Sequence, residues 1–263
     1  MPTLEIVNGM NLFFNDEGEG EPILLIHGFP LSSEMYQPQR GALIGRFRVI
    51  TPDLRGMGRS DAAPDGYSMA AYADDLYALI EQLGIGQIIV GGMSMGGYVL
   101  FELLRRHAER IKGVMLIDTK ATPDTDEAKA TRRALIEQVR TEGSGAAADT
   151  SKMLTERTHR EQPELVRFLR EIMLQVPPDG IVGALEAMIA RPDSMPTLAQ
   201  INVPTLIIVG SDDPLTPPSV AEQMQHAIKD AHLVVIDGAA HAANVERPVE
   251  VNHAITDWLQ QFV

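Results

Sequence analysis

A chain of 263 residues, 44% of them hydrophobic, is long enough to bury a substantial core, which excludes disorder as its ground state. With 22 basic against 36 acidic residues the formal charge is -14, so the surface repels nucleic-acid backbones and anionic membranes. The absence of cysteine rules out disulfides, thiolate metal ligands and cysteine nucleophiles.

The amino terminus, MPTLEIVNGMNLFFNDEGEG, has neither a basic n-region nor an uninterrupted apolar run. No later run approaches the roughly 18 apolar residues of a membrane span, so a soluble, cytoplasmic protein is expected. Residues 4–7 and 12–14 around Asn8-Gly9 read as a hairpin that adds antiparallel strands at a sheet edge. Short aliphatic runs then recur at 23–26, 48–51, 88–90, 114–117, 205–209 and 232–236, each the length of a buried strand. Helical spacing separates most of them, at 69–83, 98–107, 220–228 and 249–262. This alternation predicts an α/β fold, with a mostly parallel sheet of about eight strands covered by helices on both faces. Between Thr119 and Asn202 the alternation stops, and the sequence reads as helices at 125–140, 146–158, 163–175 and 178–190. The expectation is a core domain of 1–119 and 203–263 with a helical cap insertion at 120–202, lying over the carboxyl ends of the strands.

Gly92-Met93-Ser94-Met95-Gly96 joins the strand at 88–90 to the next helix. A serine on so sharp a strand-to-helix turn needs small neighbours two residues to either side, and Gly92 and Gly96 supply them. A hydroxyl also needs a base. Of the seven histidines, His241 is best placed, in the small-residue loop Gly238-Ala239-Ala240-His241 after the strand at 232–236. His27 lies at its own strand end, His107 ends a helix, His159 falls in the insertion, and His226, His232 and His253 read as surface positions. A carboxylate must orient the base. Asp213, in Gly210-Ser211-Asp212-Asp213 before Pro214-Leu215-Thr216-Pro217, is the first choice; Asp212 and Asp118 compete with it. The turn of residues 53–60 is rich in Gly and Arg but lacks a nucleotide fingerprint, and a structural turn is the better reading. No close pair of ligand histidines occurs, so neither a metal nor a cofactor is implied.

His27-Gly28-Phe29-Pro30, the stretch at 53–60, Gly92 to Gly97, Gly210 to Pro217 and Gly238 to His241 follow one another in the order of the motif set of the α/β-hydrolase superfamily, which the chain resembles. The wording around Ser94 is similar to that of small bacterial carboxylesterases and β-ketoadipate enol-lactone hydrolases, with cofactor-free haloperoxidases also close. The resemblance implies a Ser94-Asp213-His241 triad and an oxyanion hole from the backbone N–H groups of Phe29 and Met95. The function expected is a carboxylic ester or lactone hydrolase acting on a small molecule. A perhydrolase on the same triad and a slow-turnover ligand receptor are the alternatives. Haloalkane dehalogenases and epoxide hydrolases carry Asp where this chain has Ser94, which disfavours those chemistries. Leu154, Phe168, Met173, Leu174, Leu185 and Met188 are expected to give the cap an apolar inner face suited to an uncharged acyl chain. An anionic substrate would call for a cation such as Arg157 or Arg170.

Overall fold

Along Ile23-Leu24-Leu25-Ile26, alternate side chains leave opposite faces of the strand, so an unbroken aliphatic run requires cover on both sides. The computed structural model, which describes residues 3–7, 10–63 and 66–263, supplies that cover. Ile23 and Leu25 pack in one apolar core, while Leu24 and Ile26 pack in another across the sheet. Each such side chain, fully buried, contributes roughly 1.5–3 kcal/mol.

Eight strands among the described residues form one sheet. They are β1 (Thr3–Val7), β2 (Met10–Glu17), β3 (Glu21–Ile26), β4 (Phe47–Pro52), β5 (Ile88–Met93), β6 (Ile111–Ile117), β7 (Thr205–Gly210) and β8 (Ala231–Ile236). Their order is β1-β2-β4-β3-β5-β6-β7-β8. The first two strands pair antiparallel, with Leu4 opposite Leu12, and β2 runs antiparallel to β4; every later pairing is parallel. The expected Asn8-Gly9 turn lies outside the described residues. Because β4 and β5 flank β3 on opposite sides, the strand order reverses there, and the crevice at such a reversal is where open α/β sheets bind ligands.

The helices are α1 (Gln37–Leu43), α2 (Met69–Gln82), α3 (Met95–His107), α4 (Asp126–Glu142), α5 (Glu156–Glu161), α6 (Pro163–Leu174), α7 (Pro178–Ala190), α8 (Met195–Leu198), α9 (Pro218–Ala227), α10 (Ala243–Glu246) and α11 (Pro248–Leu259). Apolar residues of α2, α3 and α9 join the core on one face of the sheet, and those of α1 and α11 the core on the other. Between β6 and β7 lie five helices and no strand among the described residues.

The helix expected at 146–158 does not form. A short 3-10 turn at Ser144–Ala147 is followed by irregular chain, and α5 begins only at Glu156, where Thr155 caps it by accepting the Thr158 N–H. Tertiary bonds hold the irregular part: the Met153 carbonyl accepts the Ala242 N–H at 2.8 Å, and the Thr150 carbonyl bonds the His159 ring at 3.1 Å. The last strand, β8, is not the fully buried strand its composition resembles. It sits at the sheet edge with Val235 46% exposed. No single helix among the described residues is long and apolar enough to cross a membrane.

Candidate active site

At the end of β5 the chain turns into α3 within one residue. Ser94 holds φ 52° and ψ -113°, a backbone conformation that few non-glycine residues adopt. Its N–H donates to the Ile117 carbonyl at 2.9 Å and its own carbonyl accepts the Thr119 hydroxyl at 2.7 Å, so the neighbouring strand pins the turn. Both flanking glycines are required by close backbone. A Cβ on Gly92 would overlap the Gly96 carbonyl, and one on Gly96 would overlap the Ile26 carbonyl. The serine is thereby fixed at the amino terminus of a 13-residue helix, where the dipole favours negative charge.

The structure brings together the three side chains that the sequence paired. His241 Nε2 lies 2.8 Å from Ser94 Oγ, and its Nδ1 lies 2.8 Å from Asp213 Oδ2. All three elements end at the same edge of the sheet, Ser94 after β5, Asp213 after β7 and His241 after β8. A carboxylate can only accept, so Nδ1 carries the proton and Nε2 accepts from the serine hydroxyl. Asp213 also accepts the N–H groups of Leu215 and Thr216 and the Thr216 hydroxyl. Burial pushes its carboxyl up, but the bonds from His241 and Thr216 outweigh burial and hold it below the usual carboxylate value. Such a chain of partners can carry a proton from the hydroxyl to the ring while the carboxylate balances the imidazolium.

The competing acids are elsewhere. The carboxylate of Asp212 meets the Ser211 hydroxyl at 3.2 Å. Fully buried Asp118 accepts the N–H of Gly210 at 2.9 Å and of Ala243 at 3.1 Å, tying the loop that carries Asp213 to the loop that carries His241. Burial, with Asp213 nearby, pushes its carboxyl well above the ordinary value, and those two N–H groups oppose the shift. His27 is a buried structural histidine. Its Nε2 accepts the Leu54 N–H, which leaves Nδ1–H to donate to the Gly28 carbonyl, each at 2.9 Å. Burial lowers its pKa, with Asp53 opposing. The turn at 53–60 is structural too: Asp53 accepts the N–H of Ser33 at 2.7 Å and of Arg59 at 2.9 Å.

Met95 follows the serine directly, and Phe29 lines the same cavity as Ser94. Met95 is the first residue of α3, and a Cβ placed on Gly28 would lie 3.4 Å from the Ser94 Cβ. Neither N–H has a partner among the described residues.

Ser94, His241 and Phe29 open onto a cavity of about 390 Å³. Of the six apolar residues expected on its inner face, Leu185 and Met188 line it. Phe168 and Met173 instead belong to the core on the α1/α11 side of the sheet, Leu154 is buried in that same core, and Leu174 is 46% exposed. Nor do the two anticipated cations reach it, since Arg157 pairs with Glu161 on the surface and Arg170 donates to the Ala148 carbonyl. The cations that do line it are Lys120, Arg132 and Lys152. Sequence reasoning missed these, although Ala128, Thr131, Arg132 and Leu135 recur at the spacing of one helix face and all four border the cavity.

A sheet of this order with a strained serine between β5 and α3 defines an α/β hydrolase. The chain matches the family described as alpha/beta hydrolase fold over residues 21–248 and belongs to that family. It is 42% identical to a thermophilic esterase from Thermogutta terrifontis, solved with malate bound, with a TM-score of 0.94 over 99% of this chain and 98% of that one. It is 30% identical to the enol-lactonase from Burkholderia xenovorans LB400, with a TM-score of 0.91 over 98% of this chain and 100% of that one. It is 31% identical to the AB hydrolase superfamily protein YisY of Bacillus subtilis strain 168, over 95% of each chain. The chain is a hydrolase of α/β fold with esterase and enol-lactonase relatives.

Proposed function

We propose that this hydrolase cleaves carboxylic esters or lactones through an acyl-enzyme on Ser94. The observation that carries the reading is the hydrogen-bond sequence Ser94–His241–Asp213, both links 2.8 Å, on a serine held at positive φ beside an open cavity. Ser94 Oγ attacks the acyl carbonyl as its proton passes to His241 Nε2, and Asp213 stabilises the imidazolium. The N–H groups of Phe29 and Met95 receive the oxyanion, a contribution of about 10²–10³ in kcat per donor in comparable sites. His241 returns the proton to the leaving alcohol. Water then gives a proton to the same ring and attacks the acyl carbon, releasing the acid and restoring the serine. Residues 120–202 act in this scheme as a cap over the carboxyl ends of the strands; Leu135, Leu185 and Met188, which come from them, border the cavity.

The test is hydrolysis of p-nitrophenyl esters, from acetate to longer acyl chains, by the wild type and Ser94→Ala. The expected result is turnover by the wild type that falls by at least about 10³ in a folded Ser94→Ala protein. Near-normal turnover in that variant would refute the assignment.

A further inference from the structure

One wall of the site cavity carries charge that the acyl transfer proposed above does not use. Lys120 and Asp124, just before α4, line the cavity beside Arg132 of that helix. The Asp124 carboxylate is shared three ways, with Arg132 Nε at 2.6 Å, Arg191 Nη2 at 2.9 Å and Lys120 Nζ at 3.6 Å. Three cations face one carboxylate, in a chain whose formal charge is -14.

The three cations are not equivalent. Arg191 is buried and its donors are committed: Nη1 to the Met188 carbonyl, Nη2 to Asp124 and the Thr122 carbonyl, with the guanidinium 4.1 Å above the Tyr98 ring. It anchors the end of α7. Arg132 donates only Nε among the described residues, and Lys120 has only the 3.6 Å approach to Asp124, beyond hydrogen-bond length. Their side chains are 22% and 21% exposed, and the surface they expose borders the cavity that holds Ser94 and His241. Burial pushes the Asp124 carboxyl up, but the bonds from Arg191 and Arg132 outweigh it and hold the group well below its usual value, so it stays ionised. Burial, reinforced by Arg191 and Arg132, lowers the Lys120 pKa despite Asp124. With Lys152, three basic side chains and the single carboxylate of Asp124 line this cavity, so its wall carries more basic than acidic groups.

We infer that Lys120 and Arg132 form an anion subsite for a carboxylate of the substrate. The preferred substrate class is then an ester or lactone that also carries an ionised carboxylate, such as the half-ester of a dicarboxylic acid. The inference rests on the ester reading for its chemistry, but not for its binding geometry. A guanidinium and an ammonium provide charge-assisted donors to such a group. Leu135, Leu185 and Met188 offer apolar surface for the methylenes between the carboxylate and the scissile carbonyl. The apolar acyl site expected from sequence is thus apolar along part of its wall and cationic along another.

The experiment compares the monoethyl esters of succinic, glutaric and adipic acids with ethyl butyrate by pH-stat. Enzymes are the wild type, Lys120→Gln, Arg132→Gln and, as a control, Arg160→Gln, whose side chain is 71% exposed on α5. The expected result is a kcat/KM for at least one half-ester about tenfold or more above that for ethyl butyrate, a ratio that falls about tenfold in Lys120→Gln through KM. Arg160→Gln leaves the ratio unchanged. A ratio near one in the wild type, or a ratio indifferent to Lys120, would overturn the subsite while leaving the ester reading intact. A second measurement needs no turnover: adipate is expected to raise the Tm of Ser94→Ala, and to lose that effect when Lys120→Gln is added. If no ester is cleaved but this protection is seen, the subsite stands and the ester reading fails. Absence of protection overturns the subsite.

Discussion

Replacing Asp213 by asparagine exchanges one oxygen for an amide nitrogen and isolates what the carboxylate does for His241. Oδ1 accepts the Leu215 and Thr216 N–H groups at 2.7 and 3.0 Å, while Oδ2 faces the Thr216 hydroxyl at 2.5 Å and His241 Nδ1 at 2.8 Å. The two backbone donors cannot turn away, so the asparagine oxygen must take the Oδ1 place and its NH₂ the Oδ2 place. A flipped amide would strand two donors at about 1–3 kcal/mol each. The NH₂ then donates to Nδ1, and the ring proton moves to Nε2, facing Ser94 Oγ. An imidazole protonated there cannot accept the serine proton. In serine proteases the same exchange lowers kcat by about 10⁴, or about 5.5 kcal/mol of barrier. The expected outcome is a loss of that size in kcat on p-nitrophenyl esters, with the fold retained by circular dichroism. Asp212→Asn, measured in parallel, is expected to change kcat less than about twofold, because its carboxylate accepts the Ser211 hydroxyl while Asp213 is the acid that faces His241. Asp213→Asn activity within about tenfold of wild type, or an equal loss in Asp212→Asn, would refute the reasoning.

Gly96→Ala places a Cβ against the Ile26 carbonyl and 2.9 Å from that of His27. Backbone at the end of β3 or the start of α3 must shift, so urea denaturation is expected to show a loss of about 1–3 kcal/mol or more, and a loss under about 0.5 kcal/mol would contradict the packing account. Asp124 gives a pH prediction with a definite sign. Its folded-state carboxyl is held below the usual value by Arg191 and Arg132 in spite of burial, so it contributes stability above its unfolded pKa of about 3.9, and loses that contribution as pH falls further. The urea midpoint of Asp124→Asn is therefore expected to lie below wild type at neutral pH, with the gap narrowing below about pH 4. A gap that stays constant through that range would contradict the assigned cause.

The strands were legible because a buried parallel strand must be aliphatic on both faces, and Ile23 to Ile26 or Thr205 to Val209 has no other economical reading. Their ends were less so. The strand read as 88–90 continues through Gly91, Gly92 and Met93, since pairing with β3 and β6 uses the backbone, which glycine supplies as well as valine. The helix α1 was invisible, with Pro38 and Gly41 among its seven residues and Gln39 and Leu43 buried. The alanine-rich stretch after Gly145 looked helical, yet bonds to distant residues such as Ala242 outcompete a local preference worth only tenths of a kcal/mol per residue.

That Ser94, Asp213 and His241 come together could be read for a related reason. Each follows a strand in a parallel sheet, so strand order alone carries it to one edge of the sheet. Spacing favours Asp213 over Asp212 and Asp118; what spacing does not show is that the N–H groups of Leu215 and Thr216 converge on Asp213 and that its Oδ2 faces His241 Nδ1. The cationic wall was not legible. Lys120, Asp124 and Arg132 look like solvated surface charges until the fold sets them on the wall of the cavity that holds Ser94. Arg157 and Arg170, in the same insertion, face elsewhere.

The most direct test of Ser94 as the nucleophile is stoichiometric labelling with a fluorophosphonate, followed by intact-mass and peptide mapping. The account predicts one adduct per chain, on Ser94, with esterase activity lost in proportion to labelling and no adduct in His241→Ala over the same interval. An adduct elsewhere, or full activity in protein fully labelled at Ser94, would contradict it.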